Sequence, residues 1–179
     1  MRSVARRYAR ALVSYLTDKG IDPDATIEIL KEVGELLARN NNVKMYLTSP
    51  VVSKNDKLAF AKEFFENIKL PEYLLNFVLL LVEKGRIGIF DLVYDEFLRE
   101  VDRLKGRARG VLKVATPLDE ASVEAIKKTL EERLKKEVIL NLVVDPSIIG
   151  GAIAEIDGYV FDGSILRNLE QIREKMIEG

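Results

Sequence analysis

The period of the apolar residues changes once along this chain, at "KGRARG" (105–110), and that change limits the folds open to it. Upstream, apolar residues recur every three or four positions, the spacing that lays one stripe along a helix. Downstream they form short runs bounded by glycine, proline and aspartate, the pattern of strands and turns. A chain of 179 residues suits one ordinary domain or two small ones. The break itself carries Gly106, Gly110 and three cations, with no apolar residue larger than Ala108, and predicts a hinge. The expected class is α+β. A six-helix bundle covers 1–105, a hinge follows at 106–110, and a small α/β domain with a β-hairpin covers 111–179.

Local signals divide each half. Val4, Tyr8, Leu12, Tyr15 and Leu16 mark a first helix, and Ile27, Leu30, Val33, Leu36 and Leu37 a second, after punctuation at 22–24. "NNN" at 40–42 ends the second, and a short helical turn over 43–47 stops before Pro50. Ser53 is placed to cap a fourth helix with Asp56 in its first turn. Pro71 suits the first position of a fifth, which Gly85 closes. A sixth runs from about Ile89 to Leu104, with Asp95 and Arg99 expected to pair at i,i+4. Short helices with short connections predict an antiparallel bundle.

Beyond the break, "VLKVA" (111–115) and "VILNLVV" (138–144) read as strands around a helix that runs to about Lys136. That helix carries Glu124–Lys128, Glu131–Lys135 and Glu132–Lys136 at i,i+4. Asp157-Gly158 between two alternating apolar runs, 152–156 and 159–162, is a strong two-residue hairpin signal. Gly150 and Gly151 precede the first of those runs, where a bulge or a close backbone approach is expected. Asp162, Gly163 and Ser164 start a last helix with Ile165, Leu166, Leu169, Ile172 and Met176 on one face. Each glycine thus has a turn or packing role. None opens a helix with the spacing of a phosphate loop, so no nucleotide cofactor is expected.

Composition removes most catalytic chemistry. Cysteine and histidine are both absent, which excludes disulfides, thiolate or imidazole metal sites, and Ser-His or Cys-His nucleophiles. Adjacent carboxylates such as Glu131 and Glu132 sit in a lysine-laced helix and read as a solvated face. The cations Arg103, Lys105, Arg107, Arg109 and Lys113 beside a small sheet offer the alternative of an RNA-binding protein. Against it stand a net charge of −1 and the lack of paired aromatic stacking platforms. The most apolar run, 73–82, is far short of the roughly 20 residues that span a bilayer. No apolar run of the secretory type follows the basic N-terminus. A soluble, cytosolic protein without direct membrane insertion is expected.

The fifth helix poses a question of its own. Leu74, Leu75, Phe77, Val78, Leu79, Leu80, Leu81 and Val82 cover all its sides, as in a central buried helix. Either neighbouring helices enclose it or part of its surface awaits a partner helix. Ala5, Ala9 and Ala11 in the first helix are small enough to let another helix come close.

Three stretches, "VARRYARAL", "NFVLLLVEKGRI" and "VDPSIIGGAIAEIDGYVFDGS", together resemble the delta subunit of bacterial F-type ATP synthases, the family that includes the mitochondrial oligomycin-sensitivity-conferring protein. The resemblance covers nearly the whole chain. Where the family pattern often has Asn in the middle motif, this chain has Lys84. The resemblance implies a non-catalytic stator on the cytoplasmic face of the bacterial cell membrane, as a peripheral part of the complex. Its N-terminal domain would bind N-terminal helices of the alpha subunits, and its C-terminal domain the b subunits of the peripheral stalk. It implies partner contacts at Tyr8, Ala11, Leu12, Val78, Leu81 and Val82. It assigns Asp145, Gly150, Gly151, Asp162, Gly163 and Ser164 mainly to the fold, beside the Asp157-Gly158 turn. No nucleic-acid partner and no cofactor are implied.

Overall fold

A computed structural model of the protein describes residues 1–148 and 150–163. Those residues form six α-helices followed by a four-stranded sheet into which a seventh is inserted, a mixed helix-plus-sheet architecture of the α+β class. The chain divides into two compact units, Met1–Val101 and Asp102–Gly179.

The first unit holds α1 (Arg2–Asp18), α2 (Pro23–Arg39), α3 (Asn41–Thr48), α4 (Lys54–Glu66), α5 (Glu72–Glu83), a 3-10 turn at Ile87–Ile89 and most of α6 (Phe90–Lys105). Its helix starts follow from side-chain chemistry. Asp22 accepts from the Asp24 amide at 3.2 Å, with Pro23 in the first helical position. The Ser53 hydroxyl accepts from the Asp56 amide at 3.2 Å and donates back to the Asp56 carboxylate at 2.7 Å. One shared core contains Leu16, Leu30, Phe65, Leu81, Phe90 and Phe97. Full burial of each such side chain contributes about 1.5–3 kcal/mol.

Three local expectations are corrected here. The third helix begins at Asn41, two residues early, because Asn40 serves two helices. Its side-chain amide donates to the Leu36 carbonyl at 2.9 Å, while its own carbonyl accepts from the amides of Val43 and Lys44. Pro71 caps α5 from outside rather than opening it. Arg99 pairs with Glu96 at 3.0 Å, three residues back, and so joins the two other arginines on that carboxylate.

In the second unit, β1 (Arg107–Val114) is followed by α7 (Glu120–Leu134), β2 (Glu137–Val144), β3 (Ala152–Ile156) and β4 (Tyr159–Asp162). The sheet order is β2-β1-β3-β4. β1 and β2 are parallel across the α7 crossover, with Arg107 opposite Glu137, and the remaining pairs are antiparallel. Ala108, Leu112 and Val114 alternate inward from β1 and meet Val138, Ala154, Ile156 and Leu130 in a second core. The hairpin strands lie where the sequence places them. Asp157 (φ +50°) and Gly158 (φ +85°) both take the left-handed conformation that a primed two-residue turn requires.

The expected hinge at 106–110 is not a linker. Arg107, Ala108, Arg109 and Gly110 are the first half of β1, paired with residues 137–140 of β2. A Cβ at Gly110 would run into the Glu155 carbonyl and the Ile156 side chain, so this glycine permits close strand packing. The expected lysine pairs along α7 also change. Lys135 turns left-handed (φ +55°) and ends the helix, and it is Lys127 that reaches Glu124 and Glu131, at 4.0 and 3.9 Å. The expected last helix, with Ser164 and the apolar face from Ile165 to Met176, lies outside the described residues.

Candidate partner-binding surfaces

The six contact positions implied for the first unit separate by depth. Leu12 and Val82 are 3% exposed, and Val78 and Leu81 are 0% exposed. Those four lie in the interior of the helical unit, with almost no area left in solvent. Only Tyr8, half-buried, and Ala11, exposed, reach the surface. The cause is helical geometry: position 12 lies on the inward stripe of α1 with Ala5, Ala9 and Leu16, whereas 8, 11 and 15 follow the boundary stripe.

Tyr15 and Leu80, not named from sequence as contacts, are the large apolar side chains that α1 and α5 leave in solvent, at 44% and 39% exposure. Tyr15 stacks on Tyr73 of α5 at 6.5 Å between ring centroids, which ties the two helices together at this face. The Tyr73 hydroxyl lies 3.2 Å from the hydroxyl of buried Thr26 and fixes the ring. The all-round apolar α5 is therefore enclosed on most sides by its own unit. Leu75 and Leu79 are half-buried, and Leu80 alone among its aliphatic side chains is exposed.

A charged clamp that sequence reading missed braces α1. The Glu96 carboxylate, with its side chain 1% exposed, accepts from Arg2 and Arg6 at 2.9 Å each and from Arg99 at 3.0 Å. One turn on, Arg10 pairs with Glu100 at 2.9 Å. The hydrogen bond from Arg6 is the largest cause that holds the Glu96 carboxyl below the usual glutamate range, against an opposing effect of burial. The signal was present as Arg at 2, 6 and 10 facing Glu at 96 and 100, both with four-residue spacing. It becomes legible only once α1 and α6 are known to be neighbours.

In the second unit the motif residues make turns and pairings. The Asp145 carboxylate accepts from the Ser147 hydroxyl at 2.6 Å and its amide at 2.9 Å, bonds that lower the Asp145 pKa. Gly150 and Gly151 lie in the bend before β3, and the Gly163 amide donates to the Ala152 carbonyl at 2.9 Å to close the hairpin's open end. Asp162 ends β4 opposite Ile153. The cations considered as an RNA grip are engaged within the fold. Arg107 pairs with Glu137 at 2.8 Å, Arg109 grips Asp102 through two bonds, and Lys113 meets Glu155 at 2.7 Å.

The family model for the ATP synthase delta (OSCP) subunit matches residues 4–176. The chain belongs to that family. It is 33% identical over 178 residues to the ATP synthase subunit delta of Anaeromyxobacter dehalogenans strain 2CP-1, with 98% of each chain covered. It is 34% identical over 180 residues to that of Geobacter metallireducens, covering 99% of this chain and 98% of the relative. Its fold is similar to a chain in the cryo-EM structure of the Toxoplasma gondii mitochondrial ATP synthase hexamer, with a TM-score of 0.65, 19% identity and 97% of both chains covered. This delta-family chain is a stator subunit of F-type ATP synthase, and nothing in these likenesses supports the RNA-binding alternative. Among the described residues no helix is long and apolar enough to cross a membrane.

Proposed function

We propose that the chain is a non-catalytic connector with one attachment site in each unit. The helical unit, packed as an antiparallel six-helix bundle, takes N-terminal helices of the alpha subunits. The sheet unit holds the distal ends of the b subunits of the peripheral stalk. The complex then sits at the cytoplasmic face of the bacterial cell membrane. The observation that carries this reading is a family match that spans both units, from residue 4 to residue 176. On the helical unit, Tyr8, Ala11 and Tyr15 with Tyr73 and Leu80 form the docking face. Leu12, Val78, Leu81 and Val82 are its buried floor. An amphipathic helix lays its apolar side on such a surface, and a small residue such as Ala11 lets the backbones approach.

Such a connector needs no reacting group, only two attachments that hold while the rotor turns. The test is co-purification from the native membranes through a tag on this chain. The alpha and b subunits should both come with it in detergent. Recovery of neither, from membranes whose ATP synthase is intact, would refute the connector role.

A further inference from the structure

The sheet has two outer strands, and they are finished differently. β4 is four residues long and ends at Asp162. β2 is eight residues long, and its second half, Asn141 to Val144, carries none of the lysines, prolines or bulges that natural proteins use to blunt an edge. Among the described residues its outer side pairs with no strand. Leu142 and Val144 stand opposite Leu112 and Val114, which are fully buried, yet they are 39% and 46% exposed themselves. They belong to the core-facing side of the sheet at a place that α7 does not cover. An open cleft of about 650 Å³ lies there, lined by Leu118, Ala121, Val123 and Leu142, with the carboxylates of Glu120 and Glu124 at its margin. Lys127 lies 4.0 Å from Glu124 and 3.9 Å from Glu131.

We propose that the β2 edge accepts an extended segment of another protein as a fifth strand. Its backbone pairs with β2, its alternate apolar side chains enter the cleft beside Leu118 and Leu142, and basic residues among them meet Glu120 and Glu124. In strand addition the main chain gives affinity and a pocket for alternate side chains gives specificity, and both elements are present here. The complementary charge is basic because the cleft margin is acidic. The inference goes beyond the connector role and holds whichever protein supplies the strand.

The probe is a fluorescein-labelled peptide eight residues long to match β2, with threonine at every second position and valine and lysine taking turns at the others, so that both reach the cleft face; it is titrated by anisotropy into the full chain. Saturable binding is expected, and a peptide with a central proline should not bind. Leu142→Lys should weaken binding at least about tenfold, whereas Val143→Lys, on the opposite face, should change it less than about threefold. Glu120→Lys combined with Glu124→Lys should weaken the lysine peptide and spare its glutamine analogue. Circular dichroism controls for folding; these positions are at the surface. Equal binding of the proline peptide, or of Leu142→Lys, overturns the proposal. So does sedimentation showing that the edge is filled by a second copy, with Leu142→Lys dissociating it. Binding that appears only after removal of residues 164–179 would assign the edge to the chain's own C-terminal segment and equally overturn it.

Discussion

The division of the α1/α5 positions into floor and face predicts that two substitutions will separate stability from binding. Val78 is fully buried in α5, so Val78→Ala removes two buried carbons and leaves a small void. The transfer loss is about 1.6 kcal/mol at roughly 0.8 kcal/mol per carbon, and the void brings the total to about 2–3 kcal/mol. With a urea dependence of about 1 kcal/mol per M for a unit of this size, the unfolding midpoint should fall by about 2–3 M. Ala11 is exposed, so Ala11→Arg should leave stability within about 0.5 kcal/mol of the parent. Yet it places a long charged side chain where a helix must approach, and should weaken an alpha-subunit N-terminal peptide by about 2 kcal/mol or more. Urea titration followed by far-ultraviolet dichroism gives the first quantity and peptide anisotropy the second. If Ala11→Arg lowered the midpoint while Val78→Ala left it unchanged, the assignment of floor and face would be wrong. If folded Ala11→Arg bound the peptide as tightly as the parent, α1 would not be the docking helix.

Glu96 has a folded pKa below its unfolded one, so its contribution is complete above the ordinary glutamate range and lost as pH falls through the depressed folded value. The stability difference between the parent and Glu96→Gln should therefore be constant from neutral pH to about pH 5 and shrink below about pH 4, measured by urea unfolding at each pH. Gly110→Ala should cost about 2 kcal/mol or more, because β1 and β3 must part to admit the methyl group, and a thermal scan of the chain should show it. Gly158→Val places a β-branched residue at φ +85° and should loosen the hairpin, weakening b-subunit capture while alpha-peptide affinity stays unchanged.

The second and fourth helices were legible because a period met a start signal, the punctuation at 22–24 and Ser53 with Asp56, whereas the third and fifth, with no side-chain cap, kept only the period. The hairpin was legible because Asp157-Gly158 admits few other conformations. The first half of β1 was not. Its inward positions are Ala108 and Gly110 and its outward ones Arg107 and Arg109, so the two-residue alternation is there but carries almost no hydrophobic contrast. Small residues and cations resemble a linker until a neighbouring strand explains why nothing larger fits. The depth of the contact positions was not legible for a related reason: adjacent positions such as Ala11 and Leu12 differ by one step of helical rotation, and only the packed structure says which one faces out. The Glu96 clamp depends on α1 and α6 meeting across about ninety residues of sequence, a distance that no local pattern spans.

The connector role is tested most directly by coupling. Membranes stripped of the catalytic head and of this chain can be rebuilt with the head alone or with both, and ATP-driven proton uptake followed with a pH-sensitive dye. The account predicts ATP hydrolysis in both preparations but proton uptake only where the chain is present, with Ala11→Arg restoring less than the parent. Full proton uptake by the head alone, with no chain of this family present, would contradict it.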